Sequence, residues 1–307
     1  MVFYNYQMWE GTRDLCSFRE QKEESVMIDL HMHTTASDGT DTPEVLLQNI
    51  RKAGIRRFSV TDHDTYEASE KVLSMLAGDP ELKFTCGIEF SCREGRKKYH
   101  ILGYGFDPKG ESMRRAVQEA HENRMAKVNF RLEWMQDNLG IQFTEEEVRD
   151  LMHNPNPGKP HFGNILVSKG LAPDITTAIN EYVNRCPSIS LYLRPEEAVE
   201  AVLGSGGVPV LAHGFFGDGS QDLDEEELVT RVDHLMAMGL QGVEACYSRY
   251  TPEQQRFLVE LAEEKGLYAS AGSDYHGRNK SVALGQTGLA GEVPAPMVRL
   301  LERLGIR

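Results

Sequence analysis

The sequence predicts an α/β protein: a barrel of the (β/α) type with an inserted helical block. Three observations predict it. Seven short β-rich apolar runs alternate with amphipathic helical patterns, and strands alternating with helices imply a parallel sheet. Histidines and carboxylates stand at the C-terminal end of nearly every run, the end at which such barrels gather their chemistry. The alternation breaks between residues 106 and 194, where helical patterns follow one another with no strand between them.

The first strand is Val26–His31, within Ile28-Asp29-Leu30-His31-Met32-His33-Thr34, followed by Ser37-Asp38-Gly39. Side chains at i and i+2 of a strand share a side, so His31 and His33 are placed to grip one ion. Alone, such a pair reads equally well as two buried, hydrogen-bonded histidines. The second strand, Arg57–Thr61, ends in Asp62-His63-Asp64, and the third, Lys83–Ile88, ends in Glu89. The fourth, Tyr99–Tyr104, carries His100 at its start, so only an antiparallel or irregular strand brings it to the same face. The fifth, Val208–Ala212, ends in His213. The sixth, Gly242–Cys246, ends near Tyr247-Ser248-Arg249, and the seventh, Leu267–Gly272, leads to Asp274 and His276.

Thr42 caps a helix opening on Pro43. Ser69–Ala77, Arg194–Leu203, Asp224–Met238 and Pro252–Lys265 read as amphipathic helices. In the break, Glu111–Leu139 is a long helix with Met125, Val128, Leu132, Trp134, Met135 and Leu139 as candidates for its buried side. Thr144–Met152, His161–Lys169 and Asp174–Asn184 follow, with Asn154-Pro155-Asn156-Pro157-Gly158 as a loop. Residues 106–194 are therefore read as a helical cap over the histidine-bearing face, and 27–105 with 195–307 as the barrel. Residues 1–26 are read as an N-terminal extension, with Met27 a natural start.

Of 307 residues, 40% are hydrophobic, the composition of a globular protein. No apolar stretch approaches the roughly 20 residues that span a membrane, and no secretory signal opens the chain. Five scattered cysteines without a C-x-x-C pair argue against a disulfide scaffold and a thiolate zinc site. A cytoplasmic protein with no membrane partner is expected. The net charge of −14 makes long nucleic acid an unexpected partner.

The strand-end residues form a set: His31, His33, Asp38, His63, Glu89, His100, His213, Asp274 and His276. Six imidazoles and three carboxylates exceed the needs of one ion. Shared among two or three, they give the mixed N/O coordination of Zn, Mn or Fe. Such a concentration of polar groups in an apolar barrel mouth is costly without metal.

These motifs resemble those of the PHP (polymerase and histidinol phosphatase) family. Asp29–Thr34 with Ser37-Asp38-Gly39 resembles the first, Val60-Thr61-Asp62-His63-Asp64 the second and Gly87-Ile88-Glu89 the third. Ala212-His213 and Gly272-Ser273-Asp274-Tyr275-His276 resemble the later ones. The resemblance implies a distorted, TIM-like (β/α)7 barrel with up to three metals. It gives the first to His31, His33, Glu89 and Asp274, and the second to Asp38, His63 and His276. The third goes to Glu89 (as a bridge), His100 and His213. Gly214 stands where relatives often carry proline.

Metals in such sites lower the pKa of a shared water and clamp the attacking and leaving oxygens. The expected reaction is attack of that hydroxide on the phosphorus of a small phosphate ester, with inorganic phosphate as product. Asp62, Asp64 and Asp29 either orient ligating imidazoles or cap the turns after their strands. His213 or a metal-bound water is the candidate general acid. Arg124, Lys159, His161 and Arg249 are candidate substrate contacts, since an acidic protein still needs local cations for phosphate. Lys159-Pro160-His161 resembles an Arg-Pro-His turn in nucleotide-hydrolysing relatives, with a point charge replacing a bidentate fork.

The cap and second motif resemble the branch acting on 3′,5′-bisphosphonucleotides; a cyclic phosphate is a related possibility. The alternatives are a 5′-to-3′ exonuclease on short RNA, which a basic track leading from the pocket would favour, and a non-catalytic metal-binding module.

Overall fold

A computed structural model of the chain describes residues 27–76, 79–154, 156–216 and 222–307. The expected extension, Val26, Ala77, Pro155 and most of the glycine-rich segment after Phe215 lie outside these. Seven strands form one sheet in sequence order: β1 (Met27–Asp29), β2 (Ile55–Val60), β3 (Lys83–Glu94), β4 (Lys97–Tyr104), β5 (Val208–Leu211), β6 (Gly242–Tyr247) and β7 (Tyr268–Gly272). The pairs are parallel except β3/β4 and β4/β5, which are antiparallel.

The reversal at β4 corrects the simple alternation. β3 does not stop at Ile88; it continues past Glu89 to Glu94 because β4 folds back along it as a hairpin around Gly95. Glu89 is thus held inside a strand, opposite Leu102. The same reversal brings His100, near the start of β4, to the level of the other strands' C-terminal ends.

The edge strands also meet. Leu30 N–H donates to Ala271 O at 2.8 Å, Asp274 N–H to His31 O at 2.8 Å and His33 N–H to Tyr275 O at 2.9 Å. Gly272 permits that approach: a Cβ there would lie 2.2 Å from His31 Cβ and 2.5 Å from Glu244 Oε1.

Five helices flank the strands in sequence: α1 (Pro43–Ala53), α2 (Glu67–Met75), α7 (Pro195–Gly204), α8 (Glu225–Ala237) and α9 (Pro252–Glu264). Their starts obey local rules. Thr42 accepts from Val45 N–H ahead of Pro43, and Asp224 with Glu227 and Thr251 with Gln254 form reciprocal capping boxes. The terminal α10 (Ala295–Arg303) packs on β7 and escaped the sequence reading, its start broken by Pro294 and Pro296.

Between β4 and α7 lie α3 (Glu111–Leu139), α4 (Glu145–His153), α5 (Lys159–Ser168) and α6 (Ile175–Glu181). They enclose a core of their own, with Val128, Met135, Leu151, Phe162 and Leu166 buried. Of the residues expected on the buried side of α3, Val128 and Met135 are buried, and Leu132, Trp134 and Leu139 pack partly buried against them. The main core fills the sheet, and a smaller one lies between β2, α1 and α2, with Met32 from the turn after β1.

Candidate metal centre

All nine expected ligands converge at one end of the sheet. Glu89, 1% exposed, is the hub. Its Oε2 lies 3.3 Å from His31 Nε2, 3.2 Å from His33 Nε2 and 3.1 Å from His63 Nδ1. Its Oε1 lies 2.9 Å from His100 Nδ1 and 3.1 Å from His213 Nε2. Asp274 Oδ1 faces His33 Nε2 at 3.3 Å and His31 Nε2 at 3.6 Å. Asp38 Oδ1 faces His276 Nε2 at 3.1 Å, and its Oδ2 faces His63 Nε2 at 3.9 Å.

His31 Nε2, His33 Nε2, His63 Nδ1 and Glu89 Oε2 are buried with no hydrogen-bond partner. A buried polar atom left unpaired costs about 1–3 kcal/mol. These four point at one another, and together they are N/O donors suited to Zn, Mn or Fe. The residues present therefore fit a divalent ion. Three overlapping groups have donor atoms within 4.8 Å of one another: His33, Asp38, His63 and His276; His31, His33 and Glu89; and His63, Glu89 and His100. The partition implied by the resemblance differs here, since His33 also reaches Asp38 and His63 also reaches Glu89.

The electrostatics point the same way. Burial would raise Glu89, yet the imidazoles of His63, His100 and His31 hold it well below the usual carboxylate range. Burial likewise opposes charge on Asp38, but His276 and His63 keep it ionised. Burial pushes His63 down to about 3, so it stays neutral with one ring nitrogen's lone pair free to bind an ion. Burial opposes a proton on His33 as well, but Asp274 and Glu89 raise it to about 9. The cavity demands positive charge, and a divalent ion answers that demand.

Glu244, which the sequence reading missed, braces two of the ligands. It is fully buried on β6; its Oε1 lies 2.9 Å from His31 Nδ1, and its Oε2 accepts His213 N–H at 2.7 Å. The available signal was a lone carboxylate inside a wholly apolar strand. Tyr247 O–H at 2.8 Å and Lys280 Nζ at 2.6 Å both donate to Asp274 Oδ2, which leaves Oδ1 facing the histidines. Non-glycine residues with positive φ among the described residues are Asp64 (55°), His213 (29°) and Asp274 (60°), all just beyond strand ends in the site. Such conformations cost about 1–3 kcal/mol each; the 2.7 Å bond to Glu244 holds His213 in place.

The flanking aspartates bond to backbone and hydroxyl groups and, at Asp64, to a guanidinium, and among the described residues none is hydrogen-bonded to an imidazole. Asp29 accepts Ser273 N–H and Gly285 N–H, each at 2.9 Å. Asp62 accepts Thr34 N–H and Thr34 O–H, each at 2.7 Å, and Ser37 O–H, securing the turn that carries Asp38. Asp64 accepts Ser91 N–H at 2.7 Å and pairs with Arg124. These contacts follow the turn-securing alternative.

Arg124 and Lys159 line a cavity of about 330 Å³ that opens on Asp38, His63 and His100. Arg249 lines a second, of about 210 Å³, with Lys280, His213 and Asp274, and its guanidinium lies 4.2 Å from the Phe216 ring centroid. His161 lines neither: its Nδ1 accepts Gly158 N–H at 3.0 Å and fixes the Gly158-Lys159-Pro160 turn.

The fold and this cluster define a metal-assisted hydrolase. The PHP domain family matches residues 29–193, and the chain belongs to it as a metal-dependent phosphoesterase. It is 29% identical over 258 residues to the 5′-3′ exoribonuclease Rnm of Salmonella typhimurium, covering 82% of this chain and 86% of that one. It is 27% identical over 255 residues to a 3′,5′-nucleoside bisphosphate phosphatase of Chromobacterium violaceum, covering 81% and 87%. Among solved structures, a candidate metal-dependent phosphoesterase from Bifidobacterium adolescentis superposes with a TM-score of 0.78 at 26% identity, covering 91% and 96%. The expectation that long nucleic acid is no partner finds no support from a relative named as an exoribonuclease. Net charge is a poor guide here because the cations are concentrated locally.

Proposed function

We propose that this chain hydrolyses the phosphate ester of a phosphorylated nucleotide (or a phosphosugar; mono-, bis- or cyclic phosphate) at a trinuclear centre. The carrying observation is the convergence of unpaired donor atoms on Glu89 beside cavities lined by Arg124, Lys159 and Arg249. His31, His33, Glu89 and Asp274 would hold one ion, Asp38, His63 and His276 a second, and Glu89, His100 and His213 a third. Bound divalent ions would supply Lewis acidity toward the phosphoryl oxygens and a water of near-neutral pKa.

The chain's own residues do the rest. Arg124 and Lys159 draw the phosphorylated substrate in from one side, and Arg249 and Lys280 face it from the other. His213, its backbone held by Glu244, is a candidate proton donor to the leaving oxygen. Asp62 and Asp64 keep the ligand-bearing turns in place. In this reading the sheet closes as a distorted (β/α)7, TIM-like barrel of residues 27–105 and 195–307, supported by the edge-strand hydrogen bonds. Residues 106–194 are its cap, supported by their separate core. A cytoplasmic location agrees with the buried free thiols of Cys86, Cys92, Cys186 and Cys246; no described helix is long and apolar enough to cross a membrane.

The test is metal analysis joined to a screen of mono-, bis-, di- and cyclic phosphate esters. Two or three ions per chain and turnover of a phosphorylated nucleotide are expected. Fewer than two ions, or no turnover with any ester, would end the proposal and revive the non-catalytic module. A 5′-to-3′ exonuclease on short RNA is a second reading, favoured by a groove lined by seven cations and no carboxylate that joins the 330 Å³ cavity.

A further inference from the structure

Beside the cavity that holds Arg124 and Lys159 lies a larger groove of about 730 Å³. Lys98, Lys127, Arg131, Lys159 and Tyr192 line both. The outer part adds Arg93, Arg96 and Arg185, and neither a carboxylate nor any candidate metal ligand lines it. A solvated protein face normally interleaves both signs, and this chain carries a net charge of −14. Among the described residues, Arg93, Arg96, Lys127, Arg131, Lys159 and Arg185 form no ion pair with a carboxylate. The side-chain acceptors that Arg93 Nη1 and Lys159 Nζ find are neutral: Ser188 Oγ at 2.9 Å and Asn184 Oδ1 at 2.6 Å.

The groove lacks concentrated negative charge. Lys127 and Arg131 stand one turn apart on α3; Arg131 Nε is buried without a partner, and Lys127 Nζ lies 3.5 Å from the Tyr192 ring centroid. Burial and Arg124 push the Lys127 amine down to about 7, and burial with Arg131 and Lys98 pushes Lys159 to about 8. A phosphodiester chain brings one charge per linkage and fills the space between with sugar and base. A triphosphate brings several charges within a few bonds, and each guanidinium finds a pair of oxygens for a two-pronged contact. Four of the groove's seven cations are arginines, which favours that geometry.

We propose that this groove is an effector site for a compact triphosphate, free or carried by a nucleotide, and that its occupant hinders entry of the phosphorylated substrate to the metal centre. The bound triphosphate is not itself hydrolysed there, because the candidate metal ligands lie outside the groove. The hindrance follows from the shared wall: an anion held by Lys127, Arg131 and Lys159 withdraws those cations from the substrate cavity. The inhibition rests on the phosphoesterase reading above; the binding does not. The groove draws on β3, β4 and the turn between them, on α3 and α5, and on the turn at Val183–Arg185. A bound triphosphate therefore ties the hairpin to the helices and should raise the melting temperature by mass action.

The test is calorimetric binding of inorganic tripolyphosphate and of ATP to the metal-loaded protein, in the wild type and in Arg96→Gln/Arg185→Gln, whose sites line only the outer groove. The double variant should bind tripolyphosphate about tenfold or more weakly. Inhibition of ester turnover should weaken in parallel, with turnover in the absence of triphosphate unchanged. Arg96→Lys/Arg185→Lys should fall between the two, since charge returns without the fork. Triphosphates also bind free divalent ions, but that drain is the same for every variant, so equal inhibition of wild type and double variant overturns the effector role. Tripolyphosphate binding at least as tightly as ATP makes the free triphosphate the occupant. Tighter ATP makes it a nucleotide, its base against Tyr192 or Phe130; both outcomes support the site. Equal binding by wild type and double variant, or a 5′-phosphorylated ribohexamer binding more tightly than either triphosphate, overturns it. Variant-sensitive triphosphate binding without turnover of any ester counts against the functional reading alone and leaves the site standing.

Discussion

Glu244→Gln is the most informative single change, because one buried carboxylate braces ligands from two strands. Its Oε1 faces His31 Nδ1 at 2.9 Å and its Oε2 accepts His213 N–H at 2.7 Å. Glutamine keeps the volume but has only one carbonyl oxygen. If that oxygen serves His31, the amide NH2 confronts the His213 N–H, donor against donor; if it serves His213, the His31 ring loses its acceptor. Either arrangement leaves a buried donor unsatisfied, at about 1–3 kcal/mol. In the first arrangement His213 also loses the bond that holds its backbone at a φ of 29°. Loss of such an outer partner typically lowers metal affinity about 10–100-fold, about 1.4–2.8 kcal/mol at 1.4 kcal/mol per tenfold, in the range of the hydrogen-bond estimate. The assay is competition for metal against a graded chelator series, followed by kcat/KM at saturating metal. A Gln variant that holds its metals against chelator as the wild type does would refute the reasoning, whatever its activity.

Gly272→Ala should destabilise the fold and disturb the centre together, since its Cβ would lie 2.2 Å from His31 Cβ; overpacking costs about 1–3 kcal/mol, and a wild-type melting temperature with full metal content would contradict this. Arg124→Leu removes the partner of buried Asp64 and should cost about 3–5 kcal/mol, read as a clear fall in denaturation midpoint that Asp64→Asn largely relieves. His33→Ala should lose metal and activity together; full activity would remove it from the ligand set. For pH, Lys127 and Lys159 have amine pKa values of about 7 and about 8, depressed from 10.5. Between the folded and unfolded values the native state holds fewer protons, so their contribution to stability grows as pH rises through that window. Anion binding has the opposite sign: it favours the charged amines. Polyanion affinity for the groove should therefore strengthen as pH falls from about 9 to about 7, with calorimetric proton uptake; affinity independent of pH would remove both lysines from the groove.

The ligands were legible because each is an anomaly against its surroundings. His31 and His33 follow an apolar run, Glu89 interrupts one, and Asp274 and His276 succeed one. The helix start at Thr42 was legible because capping is local chemistry. The extension of β3 to Glu94 was not, because it depends on which strand pairs with it. Glu244 stands in the middle of β6 and not at its end, where the other ligand-bearing side chains stand. The basic groove was invisible for a different reason: its cations come from separate elements, and no window of sequence contains it. The average over the whole chain pointed to the opposite sign.

The reversed β4 ties these observations together. In an all-parallel arrangement the residue at the start of a strand lies at the end of the sheet away from the chemistry, and His100 would be lost to the site. Antiparallel pairing on both sides of β4 carries His100 to within 3.2 Å of His213 Nε2 and 2.9 Å of Glu89 Oε1. It also lengthens β3, so that Glu89 is fixed by strand pairing on one edge and by its bridge to His63 on the other. A carboxylate so held can face imidazoles with both oxygens, three from Oε2 and two from Oε1. The hairpin that adds the third ligand group also presents Arg93, Arg96 and Lys98 to the groove. One departure from the parallel strand order thus supplies both extra ligands at the centre and one wall of the cavity beside it.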